Sequence, residues 1–265
     1  MSGSTQIIRQ ALPIALSIVA VTWLVPLSAA QSAAPPRKDS GRLGPWTVRP
    51  TDHFDIYYRR GQESRLNEVA REAERAYLRI SMDLEHTLAN KVPLILLQTN
   101  RDLPQHPGEA YTIVRASGAP DGVDHMMLSL ESFSTRVTHE LTHQFEFDLI
   151  PRPCRVPAWV LEGLADHETG NWISSERSAL RASVAAGLIP AVANFATGDR
   201  LWGHALFDFI MAEYGTQGAR RYVLAACERQ TSGAENARDA FDLASTEVSK
   251  EFDRAFLRYL RAQFN

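Results

Sequence analysis

Residues 138–144 read Thr138-His139-Glu140-Leu141-Thr142-His143-Gln144, a His-Glu-x-x-His pattern inside a run of helical character. On a helix, residues four apart stand one above the other, so the imidazoles of His139 and His143 can converge on a single metal ion. Glu140 is displaced by about 100° around the axis, within reach of a water on that metal without ligating it. That is the arrangement a zinc hydrolase needs of its general base.

Two histidines do not close a catalytic zinc site, which takes three protein ligands and leaves a position for water. Working outward, the next informative stretch is Pro157-Ala158-Trp159-Val160-Leu161-Glu162-Gly163-Leu164-Ala165-Asp166. Glu162 follows His143 with 18 residues between them, enough to end one helix, turn, and return alongside with a second. Gly163 permits close approach of the two helices. Asp166 stands four residues beyond Glu162 on the same face, where it can accept the second ring N–H of a ligating histidine.

Together, His139-Glu140-Leu141-Thr142-His143, Pro157-Ala158-Trp159 and Glu162-Gly163-Leu164-Ala165 resemble the gluzincin metallopeptidases, most closely the small peptidase MA-like domains. The resemblance implies an α+β, zincin-like (thermolysin-like) fold, with a small mixed sheet whose edge strand lies over the metal-binding helix and a helical C-terminal part. It implies one Zn2+ per chain held by His139, His143 and Glu162, with Glu140 as catalytic base, Asp166 behind a ligand histidine, and a peptide or protein as substrate. Related domains also place an oxyanion-stabilising tyrosine early in the helix that here reads Leu201-Trp202-Gly203-His204-Ala205, with Trp202 at that position. An indole N–H can donate but cannot cycle a proton. His204 is the catalytic substitute expected here and Tyr214 the alternative. Three readings follow: an exported zinc-dependent peptidase, a zinc-binding module of the cell envelope with little or no turnover, or a domain whose helices are purely structural.

Composition frames these motifs without adding to them. The chain has 265 residues, 45% hydrophobic and 22% charged, as expected of one globular domain with a sizeable core. Its net charge is −3, and Arg9 is the only charged residue of the first thirty, so their removal would leave −4. Nothing in this balance suits a nucleic-acid partner.

In chain order, Arg9 precedes an apolar run from Ala11 to Leu27, followed by Ser28-Ala29-Ala30. That reads as a signal peptide over residues 1–30, or an N-terminal membrane anchor if uncleaved, with an exported domain in the periplasm or outside the cell. Residues 31–45 form a Pro-, Ala- and Ser-containing linker, and the domain spans residues 46–265. His53 to Tyr58 predicts a strand, and Leu66, Val69, Ala73, Tyr77, Ile80 and Leu84 mark one face of a long helix. Val92 to Leu97 is an inner strand. Pro104 to Gly122 is a loop, the candidate wall of a substrate cleft.

His125 to Leu130 is a further strand, either a substrate-pairing edge or an ordinary core strand. The metal helix runs from about Ser134 to Leu149, stopped by Pro151 and Pro153. Pro157 and Gly170 bound the helix that carries Glu162, and His167 and Glu168 on it are expected to face solvent. Helices then follow over Ser175–Ala186, over Leu201–Tyr214 ending at Gly215, around Tyr222–Cys227, and in a last one with Val248, Phe252, Phe256, Tyr259 and Leu260 as its core stripe. Cys154 and Cys227, the only cysteines, permit one disulfide or two free thiols.

Overall fold

The computed structural model describes residues 46–102, 126–151, 154, 156–196, 198–232 and 246–264. The proposed signal segment, the linker, His125 and the Pro104–Gly122 loop lie outside them.

The described part is α+β, a four-stranded mixed sheet followed by helices. Strands β1 (Thr47–Pro50) and β2 (Phe54–Tyr58) pair antiparallel, and β2 pairs parallel with β3 (Val92–Leu97). Between β2 and β3 runs helix α1 (Leu66–Asp83), as a parallel connection requires. All six apolar positions read from the sequence as one face, Leu66 to Leu84, are buried. Strand β4 (Met126–Ser129) pairs parallel with β3 and is one edge of the sheet among the described residues, β1 being the other. Met126, Leu128 and Ser129 are nevertheless buried.

A short polar staple passes the chain from β4 into helix α2 (Phe133–Leu149). The hydroxyls of Ser129 and Ser132 both donate to Asn100 Oδ1, and Asn100 N–H donates to Glu131. Phe133, Val137, Leu141, Phe145 and Leu149 recur every four residues along α2 and pack into the core, so the stripe with His139 and His143 faces another way. Ile150 takes an extended conformation and ends the helix ahead of Pro151.

Helix α3 (Ala158–Thr169) starts after Pro157 and closes on Gly170, whose φ of 67° is the left-handed value a helix C-cap uses. Helix α4 (Ser174–Ala186) follows, then α5 (Arg200–Ser232), broken at Gly215 (φ 66°, ψ −167°), and α6 (Thr246–Phe264). α3 crosses α5 where Gly163 meets Gly203. A Cβ on Gly163 would stand 2.4 Å from the Gly203 carbonyl carbon, and one on Gly203 would stand 2.2 Å from Trp159 O. Only two glycines let these backbones touch. Cys154, in the segment between α2 and α3, is disulfide-bonded, which leaves no free thiol pair. No helix of the described residues is long and apolar enough to cross a membrane.

Candidate metal centre

The α2 stripe and α3 bring His139, His143 and Glu162 together, with one ligand atom from each lying within 4.8 Å of the others. His139 Nε2 lies 3.5 Å from Glu162 Oε2, and His143 Nε2 lies 3.7 Å from Glu162 Oε1. Tetrahedral zinc with bonds of about 2.1 Å separates its ligand atoms by about 3.4 Å, so these gaps suit one ion. The two imidazoles stand almost perpendicular, at 87° with centroids 4.9 Å apart.

Each ring is braced from behind. His143 Nδ1 is 2.7 Å from Glu146 Oε2, and His139 Nδ1 is 3.2 Å from Asp166 Oδ1. With Nδ1 engaged, Nε2 is the free ligand nitrogen on both rings. His143 Nε2 is buried with no hydrogen-bond partner in the protein, an orphan that a metal would satisfy. Asp166 in turn accepts two hydrogen bonds of 2.5 Å from Arg200 Nε and Nη2. Arg200 Nη1 stands 2.8 Å from Glu162 Oε2, an ion pair without hydrogen-bond alignment.

Glu140 is 0% exposed. Its Oε1 accepts a 2.8 Å hydrogen bond from Arg136 Nη2, one turn earlier on α2, while its buried Oε2 has no partner. A carboxylate held by one oxygen with the other idle beside a metal-ligand cluster is equipped to handle a proton.

Electrostatics follow from these contacts. Burial works against a charge on His139, but hydrogen bonds to Asp166 and Glu162 outweigh it and lift the ring to about 9. Burial alone would raise Asp166, yet His139 and Arg200 hold it down to about 2. Glu146 is pushed up to about 7 by burial, with His143 pulling against it. A ligating histidine must be neutral, so a metal entering this centre displaces the proton from His139.

The other residues singled out in the sequence have partners of their own. His204 is buried, its ring stacked on Trp172 at 3.7 Å, with Nε2 3.7 Å from Asp208 Oδ1. Burial lowers its pKa to about 4 and keeps it neutral. Among the described residues no hydrogen bond or ion pair joins it to the triad. Trp202 packs against Phe195, and Tyr214 against Phe209 on α5 and Phe252 on α6. His167 and Glu168, expected to face solvent, do not. His167 Nδ1 bonds Asp208 at 2.5 Å, and Glu168 is fully buried against α1, with both oxygens lacking a hydrogen bond and Arg79 Nε 3.8 Å away. The end of α3 is covered on both sides, which three-ligand arithmetic at the metal centre could not reveal.

Three residues the sequence reading missed complete the centre: Arg136, Glu146 and Arg200. Glu146 was within reach of pattern reading, three residues after His143 on the same helix. Arg136 stands four before Glu140, equally local. Arg200 is 34 residues from Asp166 and had no such signal.

Comparison of the chain with protein-family models, with curated proteins and with solved structures finds no match. The functional reading therefore rests on the centre itself.

Proposed function

We propose that this domain is an exported zinc-dependent peptidase of zincin-like fold. The observation that carries the reading is the convergence of His139, His143 and Glu162 within 4.8 Å, with Glu140 buried alongside. Two nitrogens and one carboxylate are the donor set of a catalytic rather than a structural zinc, because they leave a position open. Bound there, zinc would supply Lewis-acid polarisation of a peptide carbonyl and lower the pKa of water on it to about 7.

The chain's own residues do the rest. Glu146 and Asp166 hold the two rings with Nε2 inward. Arg136 fixes the plane of the Glu140 carboxylate by Oε1, so Oε2 is the atom that takes a proton from water and returns it to the leaving nitrogen. Asp166 and Arg200 keep Glu162 on the histidine side of α3.

One observation favours a second reading, a zinc-binding module of the cell envelope with little turnover. His204, the expected oxyanion donor, is turned into the cluster with Trp172 and Asp208. Metal content by mass spectrometry decides whether either reading stands: close to one zinc per chain in wild type, lost in His143→Ala, is expected. Proteolysis of an unstructured protein substrate then separates them. Glu140→Gln should keep zinc and abolish cleavage, and cleavage that survives in that variant would rule out the proposed base.

A further inference from the structure

Arg200 distributes all three guanidinium nitrogens over two carboxylates of the centre. Nε and Nη2 grip Asp166 in a fork, and Nη1 stands 2.8 Å from Glu162 Oε2. The fork on Asp166 is bidentate and directional, so the third nitrogen cannot follow Glu162 if that side chain moves. Arg200 opens α5, whose position is fixed by the Gly163–Gly203 contact. It is thus held from two sides.

Both oxygens of Glu162 face the imidazoles. Oε2 lies 3.5 Å from His139 Nε2 and Oε1 lies 3.7 Å from His143 Nε2. Left alone, such a carboxylate can chelate a dication with both oxygens. Here a cation stands 2.8 Å from Oε2, facing it as an ion pair without hydrogen-bond alignment. Its charge draws electron density from Oε2 and leaves Oε1 the better donor.

We propose that Arg200 is a positioning residue that withholds Oε2 of Glu162 from the metal, so that the carboxylate ligates through Oε1 alone and one coordination position stays open for water. The proposal rests on the zinc reading above. It assigns Arg200 a role that a surface ion pair does not have: it sets the number of protein atoms on the metal, not merely the stability of α5.

The test replaces zinc by Co2+ in the full domain, whose visible absorption is intense at coordination number four and weak at higher numbers. Arg200→Met keeps the side-chain stem and removes the fork. Wild type should show the intense bands. Arg200→Met should still bind one Co2+ with affinity no lower than wild type, because a cation facing the metal has gone, and its bands should weaken several-fold. Unchanged bands in the variant would overturn the proposal. So would loss of Co2+ from a variant whose far-ultraviolet circular dichroism is native, since Arg200 would then be needed for ligation itself. Where Arg200→Met fails to fold, Arg200→Gln, a polar side chain without the charge, should weaken the bands in the same sense, and unchanged bands there overturn the proposal too. Wild type that binds no Co2+ or Zn2+ removes the zinc reading and this proposal together, an outcome distinct from the others.

Discussion

Glu168→Gln probes a carboxyl that the centre does not use. Glu168 on α3 is 0% exposed, and burial pushes its pKa up to about 7. Its charged neighbours are His167 on its own helix and, on α1, Asp83, which works against ionisation, and Arg79, which favours it. A carboxyl whose pKa is higher folded than unfolded binds its proton more tightly in the native state. Its contribution is therefore largest below the unfolded value near 4.5 and declines as pH rises to about 7, where native Glu168 must ionise in place. A shift from 4.5 to about 7 is 2.5 units, or at most about 3 kcal/mol at 1.36 kcal/mol per unit. Glutamine matches the size of glutamic acid and stays neutral throughout. Urea unfolding at pH 5, 6, 7 and 8 gives the stability of both proteins. Taking their difference cancels other titrations, Glu146 included. Wild type should lose up to about 3 kcal/mol relative to Glu168→Gln across that range, with no further change above pH 8. A difference constant between pH 5 and 8, with the variant the less stable throughout, would refute the reasoning and show Glu168 ionised and held by Arg79.

Gly163→Ala places a methyl 2.4 Å from the Gly203 carbonyl carbon, and forcing α3 from α5 should cost about 2–3 kcal/mol in urea unfolding and reduce bound zinc. Gly198→Ala, with nothing within 4 Å of the new methyl, should stay within about 0.5 kcal/mol of wild type. Arg136→Met should leave zinc content and KM unchanged while kcat falls by about 100-fold, because Glu140 loses the contact on Oε1; an unaltered kcat would show that the base needs no such brace. Glu146→Gln should weaken zinc binding by about 10- to 100-fold in a chelator competition, since His143 then loses its charged partner on Nδ1.

The parts of the fold legible in the sequence are those whose physics is local. The apolar stripe of α1 repeats at helical spacing, and every residue of it is buried. His139 and His143 share a helix face by spacing alone. Pro157 and Gly170 marked both ends of α3, but Gly163, read as the point where α3 nears α2, makes its close approach to Gly203 on α5 instead, a partner 40 residues away that no local pattern names. Strand β1 went unread because its residues are mostly exposed and carry no alternation. Glu168 reads as a surface residue, since a buried carboxylate is costly, and the fold meets that cost by holding the proton. Arg200 carries no pattern at all. Its function comes from the place where α5 crosses α3, and that crossing depends on which two glycines meet.

The braces of the centre divide along the same line. Glu146 behind His143 and Arg136 on Glu140 lie within α2, three and four residues from what they hold, so they form with the helix. Asp166 behind His139 and Arg200 beside Glu162 exist only once α3 has docked on α2 and α5 on α3. Glu140 and His143 are thus set by a single helix, whereas Glu162 and His139 are set by tertiary packing. A metal bound across α2 and α3 would favour the docked state by mass action. Weakening the glycine crossing should therefore loosen Glu162 and His139 first while leaving the His143–Glu146 pair intact, and zinc should recover part of the stability that Gly163→Ala removes.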